Sequence, residues 1–87
     1  MAAQRSQAHA ALGRAVRDFR EGRGVSQEAL AQSIKMDRTY LGGIERGERN
    51  PAYANLLRLA AALGVTVSEL TRRAEEIEAA ARESPES

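Results

Sequence analysis

Breaks in this chain fall at short intervals, and what they leave between them suits helices and little else. Glycines or cap-forming residues stand at Gly22, Gly24, Ser26, Asp37, Gly47, Asn50-Pro51, Gly64 and Thr66. Between these points apolar residues recur every three or four positions, the repeat of one helix face, not every second position as in a half-buried strand. Ala8, Leu12, Ala15, Val16 and Phe19 mark a helix over 8–20 that stops near Gly22 and Gly24. Ser26 is a good N-cap for a second helix to about Ser33, with Glu28 in the first turn where the helix dipole favours an anion. Asp37 caps a third helix that starts at Arg38 and ends before Gly47. Asn50-Pro51 reads as a turn or as a capped restart with Pro at the first helical position, and Leu56, Leu57, Leu59, Ala60 and Leu63 form the fourth helix, closed by Gly64. Thr66-Val67-Ser68-Glu69 is a capping box that opens a fifth helix through about Ala81.

Composition agrees, since 17 alanines and only three aromatics among 87 residues favour helix over strand. The expected fold is all-α, a compact five-helix bundle containing a helix-turn-helix. It comprises a flexible N-terminal arm at 1–7, one domain over 8–81 and a disordered tail at 82–87. With no cysteine and a single histidine, His9, disulfides and thiolate metal sites are excluded and a zinc site is not expected, which fits a reducing cytosol. No signal-peptide run and no stretch of about 18 apolar residues occurs, so the expectation is a soluble, cytoplasmic chain without membrane contact. His9 stands alone, and no acid pair or glycine-rich phosphate loop is placed for chemistry. No catalytic residue, cofactor, metal or small-molecule effector is therefore expected.

Net charge is +1, but it is unevenly spread. Up to Arg58 the chain carries ten Arg/Lys against six Asp/Glu, and beyond it three against six. Twelve of the 13 basic residues are arginine, which suits recognition of phosphates and base edges; a GC-rich coding bias would give the same excess. Two short helices joined by a turn of about three or four residues follow the helix-turn-helix plan, in which the second helix enters the DNA major groove. By pattern alone a generic protein-interaction bundle is equally open.

The residues themselves resemble the Cro/repressor-like helix-turn-helix regulators. The matching blocks are Val25-Ser26-Gln27-Glu28-Ala29-Leu30-Ala31, then Asp37 through Gly47, then Asn50-Pro51, then Leu56-Leu57 to Leu63-Gly64-Val65, within a stretch from Leu12 to Leu70. Asp37-Arg38-Thr39-Tyr40 and Gly43-Ile44-Glu45-Arg46 look especially like restriction-modification controller proteins. The resemblance implies a homodimeric, sequence-specific regulator of transcription that binds double-stranded DNA at a palindromic operator. Arg38 and Thr39, in the first turn of the third helix, would contact bases, because arginine donates bidentately to guanine O6 and N7. Tyr40 would reach base or phosphate with its hydroxyl, or simply pack. Gln27, Arg46, Arg49 and Asn50 would hold phosphates, and Arg20 would form a structural ion pair with Glu45. The family often places a base-reading side chain near position 43, where Gly43 offers none; discrimination would then lean on Arg38, Thr39 and DNA deformability. Gly42 and Gly43 each cost roughly 1 kcal/mol inside a helix, which close approach to DNA or to the second helix would explain, as would relaxed selection.

Val67, Leu70, Ala74, Ile77 and Ala81 step by three and four along the fifth helix, past the end of the matching stretch. With little of their own domain expected to cover them, Val67, Leu70, Ala74 and Ile77 are assigned to a homodimer interface, with Glu75, Glu76 and Glu78 facing away from DNA. An antitoxin-type module that also binds a protein is the alternative, and the short flanks leave little chain for wrapping a toxin.

Overall fold

The computed structural model describes the main chain of residues 2–83 and the side chains of residues 7–83. Five helices follow in order: α1 (Ala2–Gly22), α2 (Gln27–Ser33), α3 (Arg38–Glu45), α4 (Tyr53–Leu63) and α5 (Val67–Glu83). No strand occurs among the described residues.

Helix starts are set by local hydrogen bonds. Ser26 Oγ accepts from the Ala29 N–H at 3.0 Å, and Asp37 Oδ2 from the Tyr40 N–H at 3.0 Å. Thr66 Oγ1 accepts from the Glu69 N–H at 3.0 Å while Glu69 Oε1 accepts from the Thr66 N–H at 2.8 Å, the reciprocal capping box. Helix α4 follows the turn reading of Asn50-Pro51 and not the capped restart. It begins at Tyr53, behind an extended Ala52 that makes no side-chain cap, and Pro51 lies buried ahead of the helix, not at its first turn. Pro51 contributes its apolar ring to the interior and disfavours helical backbone at Asn50.

Four helices close in one way. The N–H groups of Val25, Met36, Glu48 and Val65 reach back to the carbonyls of Arg20, Ala31, Gly43 and Ala60 at 3.2, 2.8, 2.8 and 2.9 Å. Each bond spans a left-handed residue: Gly24, Lys35, Gly47 and Gly64. Lys35, at φ 53°, occupies without glycine's freedom the turn between α2 and α3, at a cost of about 1–2 kcal/mol.

All five helices feed one core, through Ala15 and Val16, Leu30 and Ala31, Leu41 and Ile44, Leu59 and Leu63, and Leu70. The first and last helices run past the boundaries expected for them. Helix α1 starts at Ala2, so residues 2–7 of the expected arm continue the helix, and Arg82 and Glu83 of the expected tail belong to α5; residues 84–87 lie outside those described. Helix α1 packs along α5. The helices run antiparallel, with the Arg73 guanidinium 3.1 Å from Asp18 and Ile77 and Ala81 bordering the same groove as Ala10, Ala11 and Arg14. Leu70 is wholly buried, and Ala74 and Ile77 pack half-buried against the core. Leu70 is thus committed to the chain's own core, while Ala74, Ile77 and Val67 at the start of the same helix are half-buried.

Candidate nucleic-acid interface

Helix α3 turns Leu41 and Ile44 into the core, where both are fully buried. Its C-terminal end meets α1 almost backbone to backbone. A Cβ added at Gly13 would overlap the carbonyl oxygens of Ile44 and Glu45, and one added at Gly47 would come within 2.7 Å of Ala10 Cα. Gly13 was not singled out from the sequence, although a glycine inside an otherwise good helix is itself the signal of a close approach.

The same crossing holds the Arg20–Glu45 pair. Arg20 Nε donates to Glu45 Oε2 at 2.7 Å and Nη2 to Oε1 at 3.0 Å, the parallel fork that only arginine offers, while Nη1 donates to the Val25 carbonyl at 2.8 Å. Gln27 Nε2 adds a bond to Glu45 Oε1 at 2.8 Å. Thus Glu45 ties α1, the first turn of α2 and α3 at one carboxylate. Hydrogen bonding to Glu45 raises the Arg20 pKa against the opposing effect of burial, so the guanidinium stays charged. Gln27, expected at a phosphate, has one amide hydrogen committed inward and one left.

The opposite side of α3 carries Arg38 and Thr39 in the capped first turn, Gly42 and Gly43 one turn on, and Arg46 at the end. Arg38 and Thr39 are exposed, and neither side chain bonds to another described residue. Tyr40 is half-buried, its ring packed on the core and its hydroxyl accepting from Asn55 Nδ2 at 3.4 Å. Asn55 Oδ1 in turn accepts from Arg58 Nη1 at 3.2 Å, so Tyr40 links α3 to α4 and keeps only its hydroxyl hydrogen for a ligand. Arg46 is paired with Glu48 at 3.1 Å; their hydrogen bond raises the arginine pKa and lowers that of the carboxyl. Arg49 and Asn50 are exposed in the loop after α3. Two further residues escaped sequence reading. Arg23 Nη1 donates to the Leu63 carbonyl at 3.3 Å, and Asn55 holds Tyr40; both contacts are tertiary and leave no local pattern.

No cluster of His, Cys, Asp or Glu that could hold a metal occurs among the described residues. No helix among them is long and apolar enough to cross a membrane.

The HTH_3 family, described as helix-turn-helix, matches residues 16–70. The chain belongs to this family. Among its HTH_3 relatives, the control protein C.MunI of a Mycoplasma species is 47% identical over 51 residues, covering 59% of this chain and 69% of that protein. The crystal structure of the restriction-modification controller protein C.AhdI from Aeromonas hydrophila superposes with a TM-score of 0.70 at 44% identity, covering 71% of this chain and 94% of that one. The controller protein C.Esp1396I, solved as a tetramer with its natural 35 base-pair operator, gives 0.73 at 27% identity, covering 82% and 93%. The HTH_3 match ends at Leu70, so the antiparallel pairing of α1 with the later turns of α5 lies beyond the family segment.

Proposed function

We propose that this chain is a sequence-specific regulator of transcription that binds double-stranded DNA, works as a homodimer on a palindromic operator in the cytoplasm, and serves a restriction-modification system. One observation carries the reading: α3 is locked on its inner side through Glu45 while its outer side presents Arg38 and Thr39 from a capped first turn. A rigid helix with free donors at its leading end suits insertion into the major groove, where arginine distinguishes guanine. The second amide hydrogen of Gln27 on one side of α3, and Arg46 and Asn50 on the other, take phosphates. The kinship with C.MunI and C.AhdI supports the controller role, and the C.Esp1396I operator complex supports an oligomer on DNA.

The dimer uses the exposed side of α4. Tyr53 and Leu57, the large apolar residues most open to solvent at 64% and 47%, stand four residues apart on that helix and so share a face. A homodimer presents two α3 helices one DNA turn apart, about 34 Å, which is the geometry a palindrome requires.

Selection of bound fragments from random duplexes tests the whole reading. A palindromic motif is expected, and failure to enrich any motif at low or physiological salt overturns it. On the selected site, Arg38→Ala should relax preference at one guanine per half-site by about tenfold. Leu57→Asp should sediment as a monomer with unchanged helical circular dichroism; if it stays dimeric at micromolar concentration, the α4 face is the wrong interface.

A further inference from the structure

Among the described residues the chain turns through the left-handed region four times, and three of those turns use glycine. Gly24, Gly47 and Gly64 stand at φ 70°, 77° and 75°, whereas the turn between α2 and α3 uses Lys35 at φ 53°. The bond that closes this turn, from the Met36 N–H to the Ala31 carbonyl, is 2.8 Å long, the same as the bond across Gly47. The backbone thus requires nothing there that glycine would not supply. No contact offsets the strain: Lys35 is exposed, and its side chain makes no hydrogen bond or ion pair among the described residues.

Coding bias does not account for the residue either. Lys35 is the only lysine beside twelve arginines. A GC-rich bias, which would explain the arginines, favours glycine codons over lysine codons as well, so it acts against the residue found here. A strained side chain held without a packing reason points to a function for that side chain.

Its place in the chain supplies one. Lys35 stands two residues ahead of Asp37, whose carboxylate caps the first turn of α3, and three ahead of Arg38. Three Cα steps span at most about 11 Å, and the major groove is about 12 Å wide with phosphates along both walls. With Arg38 over the base edges, Lys35 is within reach of a wall, just past the end of α2 opposite Gln27. A compact ammonium on a flexible stem suits a phosphate, as a planar fork suits guanine.

We infer that Lys35 binds a backbone phosphate of each half-site, and that the turn keeps a left-handed lysine for this contact where glycine would fold with less strain. The inference rests on the DNA-binding reading and deepens it, adding a phosphate ligand ahead of the leading end of α3.

Because Lys35 is the only lysine, its ammonium can be followed directly. Acetic anhydride transfers an acetyl group to an amine with release of acetate and a proton, and peptide mapping by mass spectrometry then reads the modified site. Lys35 should be acetylated in the free protein and protected several-fold on the selected duplex at low salt. Lys35→Gly should hold or raise Tm, yet weaken binding to cognate and scrambled duplexes by the same factor, while the plot of log affinity against log salt flattens by about one unit per protomer. Lys35→Arg should keep both slope and affinity. Equal acetylation with and without DNA, an unchanged salt slope in Lys35→Gly, or a loss confined to one base pair would overturn the assignment. A fall in Tm for Lys35→Gly would do the same, since lysine would then stabilise the turn on its own account. If the unaltered protein binds no duplex even at low salt, the DNA-binding reading fails and this inference with it; binding by the unaltered protein separates the two. The acetylation arm needs no variant and stands if Lys35→Gly fails to fold.

Discussion

The two sides of α3 break the same rule for opposite reasons. On the inner side, the glycines at the crossing with α1 face main chain: Gly13 the carbonyls of Ile44 and Glu45, Gly47 the backbone of Ala10. On the outer side, Gly42 and Gly43 face the ends or stems of Arg46 and Arg49. Main chain cannot yield without moving a helix, whereas an exposed arginine can swing aside. Absence of a side chain is thus a packing requirement on one side and a means of seating flexible cations on the other.

The inner lock should give the largest response. Glu45→Leu leaves the Arg20 guanidinium and the Gln27 amide without their acceptor, and unfolding in denaturant should show a loss of about 3 kcal/mol. Arg20→Met combined with Glu45→Leu should recover part of this, because removing both charges also removes their desolvation. Strictly additive losses would mean that the fork contributes nothing as a pair.

Next in size comes Gly13→Ala, where the clash with two carbonyls should cost about 2 kcal/mol despite alanine's better helix propensity. A variant as stable as the parent would show that α1 can back away from α3. The outer side should respond in the other direction. At Gly42 a Cβ meets side-chain ends, Arg46 Nη1 at 3.0 Å and Gln27 Oε1 at 3.7 Å, so Gly42→Ala should gain up to about 1 kcal/mol, seen as a rise of several degrees in Tm. Destabilisation comparable to Gly13→Ala would erase the distinction between the sides.

The smallest effect lies at the exposed Arg46–Glu48 pair. Glu48→Gln frees Arg46 from its internal counterion, so affinity for cognate and scrambled duplexes should rise by the same few-fold factor with little change in Tm. A gain confined to the cognate site would make Glu48 a determinant of sequence preference instead.

Local chemistry was legible in the sequence, and coverage was not. Ser26, Asp37 and Thr66 could be assigned as caps because a cap bonds residues two or three positions away. The seam on α5 was also visible as a periodicity, but periodicity shows that a face is apolar without showing what lies on it. Leu70, Ala74 and Ile77 pack on the chain's own core, and Asp18, Ala10, Ala11 and Arg14, which meet α5, stand in the helix expected over 8–20, so what the sequence hid was the antiparallel pairing of α1 with α5 and not the length of α1. The Arg20–Glu45 contact came from resemblance alone, since 25 intervening residues hide it from any local pattern.

The antiparallel pairing of α1 and α5 also grades the molecule from end to end. Around Leu41 five helices contribute to one core, whereas near Ile77 and Ala81 the packing is two helices thick. Amide protons on Leu41 and Ile44 should exchange with solvent only when the whole chain opens, while those of the last turns of α5 should exchange through a smaller, separate opening. The last turns of α5 would thus breathe by themselves while the Glu45 lock stays closed.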